Sequence, residues 1–298
     1  MVDCINKFKQ ICAAYYWAAY LLHHAVCLRP GEPLKNSRLV VVGSFRAGGA
    51  GKTPFCLKLA KELLMQGKTV AVLCHRFAFD EKQMYRQALD SFIQQGKAEV
   101  IATSNRYKTA HALDQRTQDR DKASPDFILC DDGFEDSRLR PDVIFRLDWE
   151  KAPTDINQLI PAGKFRSLRQ DHLKDEPRTV PLKCFGTAPD VIFKIESITN
   201  AAGDYPKNKQ SIAICGLGDP QRFFNDLKKE EYPLHKTICC PDHDKDFQQK
   251  VEKALQQYPD SNIIISEKDS VRLSNQVLEN PKVYIARQSV TITKKIVL

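Results

Sequence analysis

The hydrophobic positions of the chain fall into short unbroken runs that are separated by longer, mixed segments. Leu39–Val42 is one such run, and Thr69–Cys74 is another. Apolar runs without polar alternation are typical of strands that are buried on both faces of a parallel sheet. Between them, Thr53-Pro54 predicts the start of a helix that extends to Gln66, because proline is tolerated in a first helical turn. The whole segment therefore predicts a βαβ unit.

The alternation of strands and helices continues towards the C-terminus. Asp219-Pro220 predicts the N-cap and first residue of a helix that ends near Lys229. Repeated alternation of this kind favours an α/β fold with a mostly parallel sheet. The polar stretch Asn200–Gln210 is the best candidate for a linker. Further strands are predicted at Glu99–Ala102, Asp126–Cys130, Asp142–Leu147, Val191–Ile195, Ser211–Cys215, Asn262–Ile265 and Lys282–Ala286.

The loop after the first predicted strand carries the clearest candidate chemistry. Arg46–Thr53 reads RAGGAGKT. In a Gly-rich turn between a strand and a helix, backbone N–H groups and the positive helix end hold phosphates. Lys52 would reach the β- and γ-phosphates of ATP, and the Thr53 hydroxyl would hold Mg²⁺. The match is loose, because the strict pattern has Gly where Arg46 stands. The predicted nucleotide-binding residues are Gly48, Gly49, Ala50, Gly51, Lys52 and Thr53.

The predicted strand DFILC ends in two carboxylates, Asp131 and Asp132. In an open α/β sheet, ligands bind beyond the carboxyl ends of the strands. An Asp at the end of an apolar strand beside a phosphate loop is the expected Mg²⁺ carboxylate. Alone, Asp-Asp-Gly would indicate only a turn. Together with the phosphate loop, it predicts a metal site.

Two further sets carry chemistry only if folding brings them to the loop. Asp242-His243 offers a carboxylate and an imidazole that could accept a hydroxyl proton in a kinase. A single histidine is more often structural or solvated. A set of basic side chains predicts either a solvated surface or a cradle for an anionic substrate. This set comprises Arg106, Lys108, Lys164, Arg166 and Arg169.

The N-terminal segment has no Asp, Glu, Lys or Arg from Ile11 to Leu28. It is barely long enough to cross a bilayer, which requires about 20 apolar residues. A secretory signal peptide is discounted, because it would export a phosphate-binding loop away from ATP. Residues 5–28 predict a helix whose apolar face contacts a membrane or packs on the protein's own core. Whether the helix would span the membrane or lie on it stays open. The face comprises Ile5, Phe8, Cys12, Tyr15, Ala19 and Leu22.

Composition adds little to what the motifs predict about partners and metal sites. The 298 residues include 45 basic and 37 acidic side chains, and the net charge of +8 favours anionic partners without choosing among them. The ten cysteines include no C-x-x-C pair, and no Cys/His spacing matches a zinc site. Several cysteines lie in apolar runs, which indicates reduced, buried thiols in a reducing compartment.

Together, these motifs resemble the tetraacyldisaccharide 4′-kinase family of lipid A synthesis. The matching pieces are spread along most of the chain in the family's order, and such a series is hard to obtain by chance. The pieces are VGS with RAGGAGKTP (42–54), Arg76, Asp80-Glu81, Asn105-Arg106-Tyr107, ILCDDGF (128–134), LIPAG (159–163) with Arg166, GLGDP (216–220) with RFF (222–224), Pro241-Asp242-His243 and Ser266–Asp269.

The resemblance implies a P-loop kinase domain over residues 1–190, which includes the N-terminal helix, and a smaller α/β domain over 191–298, joined by a β ribbon. It implies transfer of the ATP γ-phosphate, with Mg²⁺, to the 4′-hydroxyl of an acylated disaccharide 1-phosphate. The expected location is the cytoplasmic face of the bacterial inner membrane, with the N-terminal helix in contact with the bilayer. No nucleic acid and no obligate protein partner are expected.

The resemblance also implies roles for individual residues. Asp80 is similar to the family's catalytic base, and His243 is similar to its partner across a domain cleft. Lys52 would act on the transferred phosphate. The other implied contacts are substrate binding by Arg76, Arg106 and Arg166 and metal binding by Thr53, Asp131 and Asp132.

Several positions depart from the family's pattern. Ser44 stands for an Asn, Ser167 for an acidic residue, and Glu135 and Asp136 for an amide and an imidazole, while the Asp-His-His element reads DHD. These departures motivate an alternative, a divergent member with weakened catalysis. A second alternative is a P-loop switch or assembly NTPase. Its deviant loop carries a Lys one residue before the double Gly, where this chain has Ala47.

Overall fold

The computed structural model of the protein describes residues 2–27, 30–116, 123–206, 210–230 and 232–296. They form two compact units: residues up to Val191 together with those from Ile292, and Ile192–Thr291. The family resemblance implied that everything after residue 190 belongs to the second domain. The end of the chain differs from that assignment because the Thr293 backbone N–H donates to the Asp190 carbonyl oxygen (2.9 Å) in the first unit.

In the described residues, the first unit contains a six-stranded parallel sheet, five α-helices and two 3-10 helices, Ile156–Gln158 and Arg169–Arg178. The strands are β1 (Arg38–Gly43), β2 (Val70–His75), β3 (Ala98–Thr103), β4 (Phe127–Asp131), β5 (Val143–Asp148) and β6 (Thr179–Lys183). The helices are α1 (Val2–Cys27), α2 (Lys52–Met65), α3 (Phe79–Ala88), α4 (Asp90–Gln94) and α5 (Arg106–Asp114). The strand order is β3-β2-β4-β1-β5-β6, and every pairing is parallel. β1 and β4 are therefore neighbours, with Val42 opposite Asp131.

The part of the second unit that the structure describes has a five-stranded sheet and four α-helices. The strands are β7 (Val191–Thr199), β8 (Ser211–Cys215), β9 (Leu234–Cys239), β10 (Asn262–Ser266) and β11 (Val283–Ile292). The helices are α6 (Pro220–Lys229), α7 (Phe247–Gln257), α8 (Glu267–Ser270) and α9 (Asn275–Leu278). The strand order is β7-β11-β10-β8-β9, and the pairs β9–β8, β8–β10 and β10–β11 are parallel.

Most predicted elements are confirmed, with ends that differ by a residue or two. The exceptions are β7 and β11, which continue to Thr199 and Ile292, well beyond the predicted ends at Ile195 and Ala286. β1 is buried from Leu39 to Gly43, as its unbroken apolar run predicts. Two edge strands, β6 and β9, were not predicted. β6 contains Pro181, and most of β9 is at least partly exposed, so neither presents an apolar run. Edge strands in general need burial on only one side, and their sequence signal is weaker.

The predicted linker is wrong as a boundary between domains. Asn200–Pro206 lies inside the second unit, between β7 and β8, and residues 207–209 of this stretch fall outside the described part of the chain. The Asn200 side-chain oxygen accepts hydrogen bonds from the backbone N–H groups of Ala202 and Asp204. An Asn-led turn has the same polar, Gly-containing composition as a linker, which explains the misreading.

The N-terminal helix is confirmed as α1, whereas Leu28, the last residue of the prediction, is not described. The face predicted from sequence is largely exposed, with Phe8 66% and Tyr15 76% accessible. The reading in which that face packs on the core is therefore wrong. A neighbouring face packs instead, because small Ala13 allows close approach and Trp17 lies against the core. Among the described residues, no helix combines the length and apolar content that spanning a membrane requires.

Candidate active site

The Gly-rich segment forms the connection between β1 and α2. Gly49 and Gly51 have φ angles of 67° and 74°, a left-handed conformation that side chains with a Cβ rarely adopt. Hydrogen bonds from neighbouring segments hold the loop from outside. Trp149 donates through its indole N–H to the Ala50 carbonyl oxygen (2.9 Å), and the Ala47 backbone N–H donates to the Lys164 carbonyl oxygen (2.9 Å). The predicted phosphate loop is thus built and anchored.

Lys52 and Thr53 open α2, and their side chains turn towards the end of β4. Lys52 Nζ lies 3.1 Å from Asp132 Oδ1. The Thr53 hydroxyl donates to Asp131 Oδ2 at 2.8 Å. The register of β1 against β4 explains the meeting, because Asp131 lies opposite Val42, just before the loop begins. The structure therefore brings the loop together with both predicted metal carboxylates.

Asp131 is a buried carboxyl with unequal oxygens. Oδ2 accepts from the Thr53 hydroxyl and, at 2.9 Å, from the Tyr85 hydroxyl. Oδ1 is buried and accepts no hydrogen bond from any residue that the structure describes. Burial, followed by repulsion from Asp132, raises the pKa of Asp131 to about 6. A buried, unsatisfied carboxylate oxygen is costly unless another ligand meets it.

Asp132 is held between two cations. Its φ of 56° is left-handed. The Arg166 guanidinium donates to Oδ2 at 2.8 Å, while Lys52 approaches Oδ1. Burial by itself raises the pKa of Asp132, but Lys52 and Arg166 outweigh it and hold the pKa well below its usual range. Arg166 also donates to the Ala47 carbonyl oxygen (2.6 Å), so it joins the loop to Asp132.

The other predicted basic residues differ in position. Arg106, the first residue of α5, donates to the Asp131 carbonyl oxygen at 3.0 Å, so it lies at the end of β4. Arg76 is exposed and places its guanidinium 4.3 Å from the centre of the Phe77 ring. Lys164 contacts Glu150 at 2.6 Å, and Arg169 contacts Glu176 at 3.0 Å. Arg106 and Arg166 thus contact the Asp131–Asp132 segment, whereas Lys164 and Arg169 pair with acidic side chains.

Asp80 lies in the first turn of α3 and is buried. Tyr85, on the same helix, connects α3 to Asp131. His243 follows β9 in the second unit with a φ of 58°, and its Nε2 lies 3.9 Å from Asp242 Oδ1. Asp80 and His243 belong to different units, and their pairing stays a prediction.

Three residues that depart from the family pattern, Ser167, Glu135 and Asp136, each have identifiable neighbours in the structure. Ser167 is buried, and its hydroxyl lies 2.8 Å from Nε2 of the buried His172. Asp136 forms a two-point contact with Arg138, at 2.8 Å each. Glu135 lies 3.8 Å from Arg166, and burial followed by the nearby Asp132 raises the pKa of Glu135. Ser167 and Asp136 thus satisfy local partners, and only Glu135 faces the arginine that holds the loop.

Sequence reasoning missed three residues that support the site. Trp149 and Glu150 follow β5 directly, and the rule that parallel strands present ligands at their carboxyl ends could have found them. Glu150 lies 3.5 Å from the Arg46 guanidinium, which gives that residue of the loose motif a partner. Tyr85 had no local signal, because it lies inside a helix and reaches the site only through the fold.

A Gly-rich loop at the carboxyl end of β1, with Lys and Thr opening the next helix and an Asp on the neighbouring strand, defines a P-loop nucleotide-binding protein of the kinase type. The chain belongs to the tetraacyldisaccharide-1-P 4'-kinase family, whose family model matches residues 14–297. The predicted family, fold class and kinase activity are therefore confirmed, and the alternative of a P-loop switch protein has no support.

The alignments with similar proteins cover most of this chain and most of theirs. The chain is 26% identical to the tetraacyldisaccharide 4'-kinase of Haemophilus influenzae (strain 86-028NP) over 286 residues, which cover 89% of this chain and 83% of that protein. It is 25% identical to that of Koribacter versatilis (strain Ellin345), with 87% of each chain covered. The crystal structure of LpxK from Aquifex aeolicus in complex with ATP shares the fold, with a TM-score of 0.63, 20% identity and 96% and 95% of the two chains covered.

Proposed function

We propose that this chain transfers the γ-phosphate of ATP to the 4′-hydroxyl of an acylated disaccharide 1-phosphate in lipid A biosynthesis. One observation carries the proposal: the loop residues Lys52 and Thr53 meet Asp131 and Asp132 at the carboxyl end of β4. Membership in the kinase family supplies the acceptor, because its curated relatives are tetraacyldisaccharide 4'-kinases.

The loop is suited to bind the phosphates of ATP. Its backbone N–H groups and the positive end of α2 favour negative charge. Lys52 contacts Asp132, so binding of phosphate by Lys52 would exchange one anionic partner of the lysine for another. Arg166 holds Asp132 from the other side and keeps that carboxylate neutralised when Lys52 turns to the phosphates.

The donor set also fits Mg²⁺. Asp131 Oδ1 is a buried carboxylate oxygen without a hydrogen-bond donor among the described residues, and the Thr53 hydroxyl retains its lone pairs. Oxygen ligands of this kind suit Mg²⁺, which is bound through one or two carboxylates together with substrate phosphates. When bound there, Mg²⁺ would offset the charge that develops on the phosphates. Asp132 is the second candidate ligand.

The acceptor side rests on family similarity. We infer that Asp80 accepts the proton of the 4′-hydroxyl and that His243 assists it in this proton transfer. Arg76, Arg106 and Arg166 would contact phosphate groups of ATP or of the acceptor. Arg106 and Arg166 already contact the Asp131–Asp132 segment, which supports their part of this assignment.

We also propose that the protein acts at the cytoplasmic face of the bacterial inner membrane, with α1 lying on the bilayer surface. Support comes from the exposed apolar side chains of α1, which include Ile5, Phe8, Ile11, Tyr15, Leu22 and Val26. The absence of an obligate protein partner stays a prediction.

An in vitro assay tests the activity directly. Purified protein, labelled ATP, Mg²⁺ and the tetraacyldisaccharide 1-phosphate should yield the 4′-phosphorylated product. Lys52→Ala should reduce turnover by about 100-fold or more, because one charge-stabilising group is lost from the transition state. Lys58→Ala is the matched control, since Lys58 lies on the same helix and pairs with Glu62 on its surface (3.2 Å). Product from Lys52→Ala at the wild-type rate would contradict the proposal.

Vesicle flotation tests the membrane proposal. Binding to vesicles that contain anionic lipid should fall when Phe8 and Tyr15 are both changed to Ser, because their exposed rings supply apolar contact. Met65→Ser is the control, because Met65 is 70% exposed on α2 of the same unit. Equal flotation of all three proteins would rule out α1 as the contact surface.

A further inference from the structure

Tyr85 is a fully buried tyrosine of α3, and its side-chain hydroxyl reaches the end of β4. Its relative exposure is 0%, which makes it one of the largest completely buried side chains that the structure describes. The hydroxyl donates to Asp131 Oδ2 at 2.9 Å and lies 3.3 Å from the Thr53 carbonyl oxygen. Since a phenol has a single proton, the shorter contact, to the carboxylate, is the stronger hydrogen bond.

The two donors to Asp131 converge on the same oxygen. The Thr53 hydroxyl donates to Oδ2 at 2.8 Å, from the side of the phosphate loop. Tyr85 donates to Oδ2 from the side of α3. Two donors fix the rotation of the carboxylate about its Cβ–Cγ bond, and the other oxygen, Oδ1, is left without a donor among the described residues.

The same arrangement preserves the ligand capacity of Thr53. A hydroxyl has one proton and two lone pairs. Because Thr53 gives its proton to Asp131, its lone pairs are available to a cation. Tyr85 supports this geometry, since it supplies the second donor that the buried carboxylate needs on Oδ2.

We propose that Tyr85 is a positioning residue that holds Asp131 Oδ2 so that Oδ1 is presented to the divalent cation that accompanies ATP. The inference rests on the proposed function, because it requires a cation at Thr53 and Asp131. It gives α3 a second role beside carrying Asp80: the helix that holds the candidate base also orients the metal carboxylate. Groups that orient a metal ligand in this way set metal affinity without touching the metal.

The competing explanation is structural. A buried tyrosine hydroxyl usually finds a partner, and Asp131 could serve only that purpose. A structural role predicts a loss of stability from Tyr85→Phe with unchanged metal binding. A positioning role predicts a loss of metal affinity that requires Asp131.

The test follows Mn²⁺ by electron paramagnetic resonance as it binds to the protein in complex with a non-hydrolysable ATP analogue. Wild type, Tyr85→Phe, Asp131→Asn and the double variant are compared, and Tyr284→Phe, a buried tyrosine of the second unit, is the control. Binding of the analogue without metal is measured in parallel. Thermal melting is recorded for each protein, and Tyr85→Met, which fills the pocket without a hydroxyl, replaces Tyr85→Phe if the latter does not fold.

Tyr85→Phe should weaken Mn²⁺ binding by about 10- to 100-fold, which is the usual effect of removing a partner of a metal ligand. Affinity for the metal-free analogue should stay at the wild-type value. Tyr85→Phe should add nothing in the Asp131→Asn background, because the two residues act through one oxygen. The control Tyr284→Phe should bind Mn²⁺ as wild type does.

Two results would overturn the inference, and they are distinguishable. If Tyr85→Phe binds Mn²⁺ as wild type does while Asp131→Asn does not, Tyr85 has no positioning role and the proposed metal site stands. If Asp131→Asn also binds Mn²⁺ normally, the proposed metal site itself is wrong, and the inference falls with it.

Discussion

The two units each place a helix after a central parallel strand, but the two helices begin in different ways. α2 follows β1, and its N-cap is Gly51, which has no side chain with which to cap the helix. α6 follows β8, and its N-cap Asp219 accepts a hydrogen bond from the Arg222 backbone N–H (3.3 Å). A capped helix already has a carboxylate at its positive end, whereas an uncapped one can receive an anion there.

The carboxylates at the strand ends differ in the same sense. Asp269 is completely buried, and its Oδ2 accepts from the Gly216 backbone N–H (3.1 Å) and the Ser266 hydroxyl (2.6 Å). Its Oδ1 accepts no hydrogen bond from the described residues, but it lies 3.3 Å from Nη1 of Arg272, which is ion-pair distance. Asp131 Oδ1 also lacks a donor in the described part of the chain, and there no Lys or Arg forms an ion pair with Asp131. A protein cation therefore accompanies Asp269, whereas none in the described residues accompanies Asp131.

Topology alone does not make a phosphate site. Both units have parallel strands with a Gly-containing loop before a helix. In the described residues, the first unit combines a helix start without a side-chain cap and a buried carboxylate without an ion-pair partner, whereas the second has a capped helix and a carboxylate paired with Arg272. Function thus depends on which polar groups are left unsatisfied at the strand ends, not on the architecture that supports them.

The largest expected effect separates the two carboxylates. Asp131→Asn should reduce turnover by about 100-fold or more, because a charged group at the phosphate site is lost. Asp269→Asn should leave the turnover of folded protein near wild type and lower the free energy of unfolding by about 1–3 kcal/mol, since its role is to satisfy buried donors. Turnover with acylated disaccharide and unfolding in urea measure the two effects. Equal losses of turnover in both variants would contradict the distinction between a catalytic Asp131 and a structural Asp269.

The pKa of Asp131 makes a prediction for stability without divalent cations. Burial raises this pKa from 3.8 to about 6, so the folded state binds the proton more tightly than the unfolded state does. The charged carboxyl therefore destabilises the fold, and its penalty is absent at pH values below 3.8 and complete above about 6. A shift of this size corresponds to about 3 kcal/mol.

Asp131→Asn removes that titration. In urea with a chelator present, the free energy of unfolding of the variant relative to wild type should increase as the pH rises from about 4 to about 6, and it should be constant above that range. Asp226→Asn is the control, because this residue pairs with Lys229 on the surface. If the difference in free energy of unfolding between variant and wild type did not change with pH, the pKa of Asp131 would not be raised.

The fold was readable from sequence because buried parallel strands have unbroken apolar runs, and β1, β2 and β4 confirm this. The loop and its two carboxylates were readable because Gly, Lys and Asp lie at fixed places next to those strands. The edge strand β9 was not readable, because its residues are largely exposed. The contact of Tyr85 with Asp131 could not be predicted either, since it depends on the distance between α3 and β4, which no local sequence pattern determines.

The smallest expected effects concern the two helix starts. Gly51→Asp should weaken ATP binding by about tenfold relative to Gly51→Asn, because a carboxylate at the positive helix end competes with phosphate. Asn is the matched control, since it has the same shape and tolerates the left-handed backbone at φ 74° without adding charge. ATP affinity is measured with a fluorescent analogue.

Asp219→Ala completes the pair. Loss of this cap should lower the free energy of unfolding by about 1 kcal/mol and leave ATP affinity unchanged. If Asp219→Ala instead altered ATP affinity while Gly51→Asp did not, the nucleotide would bind near the start of α6, and the proposed phosphate site at the start of α2 would be wrong.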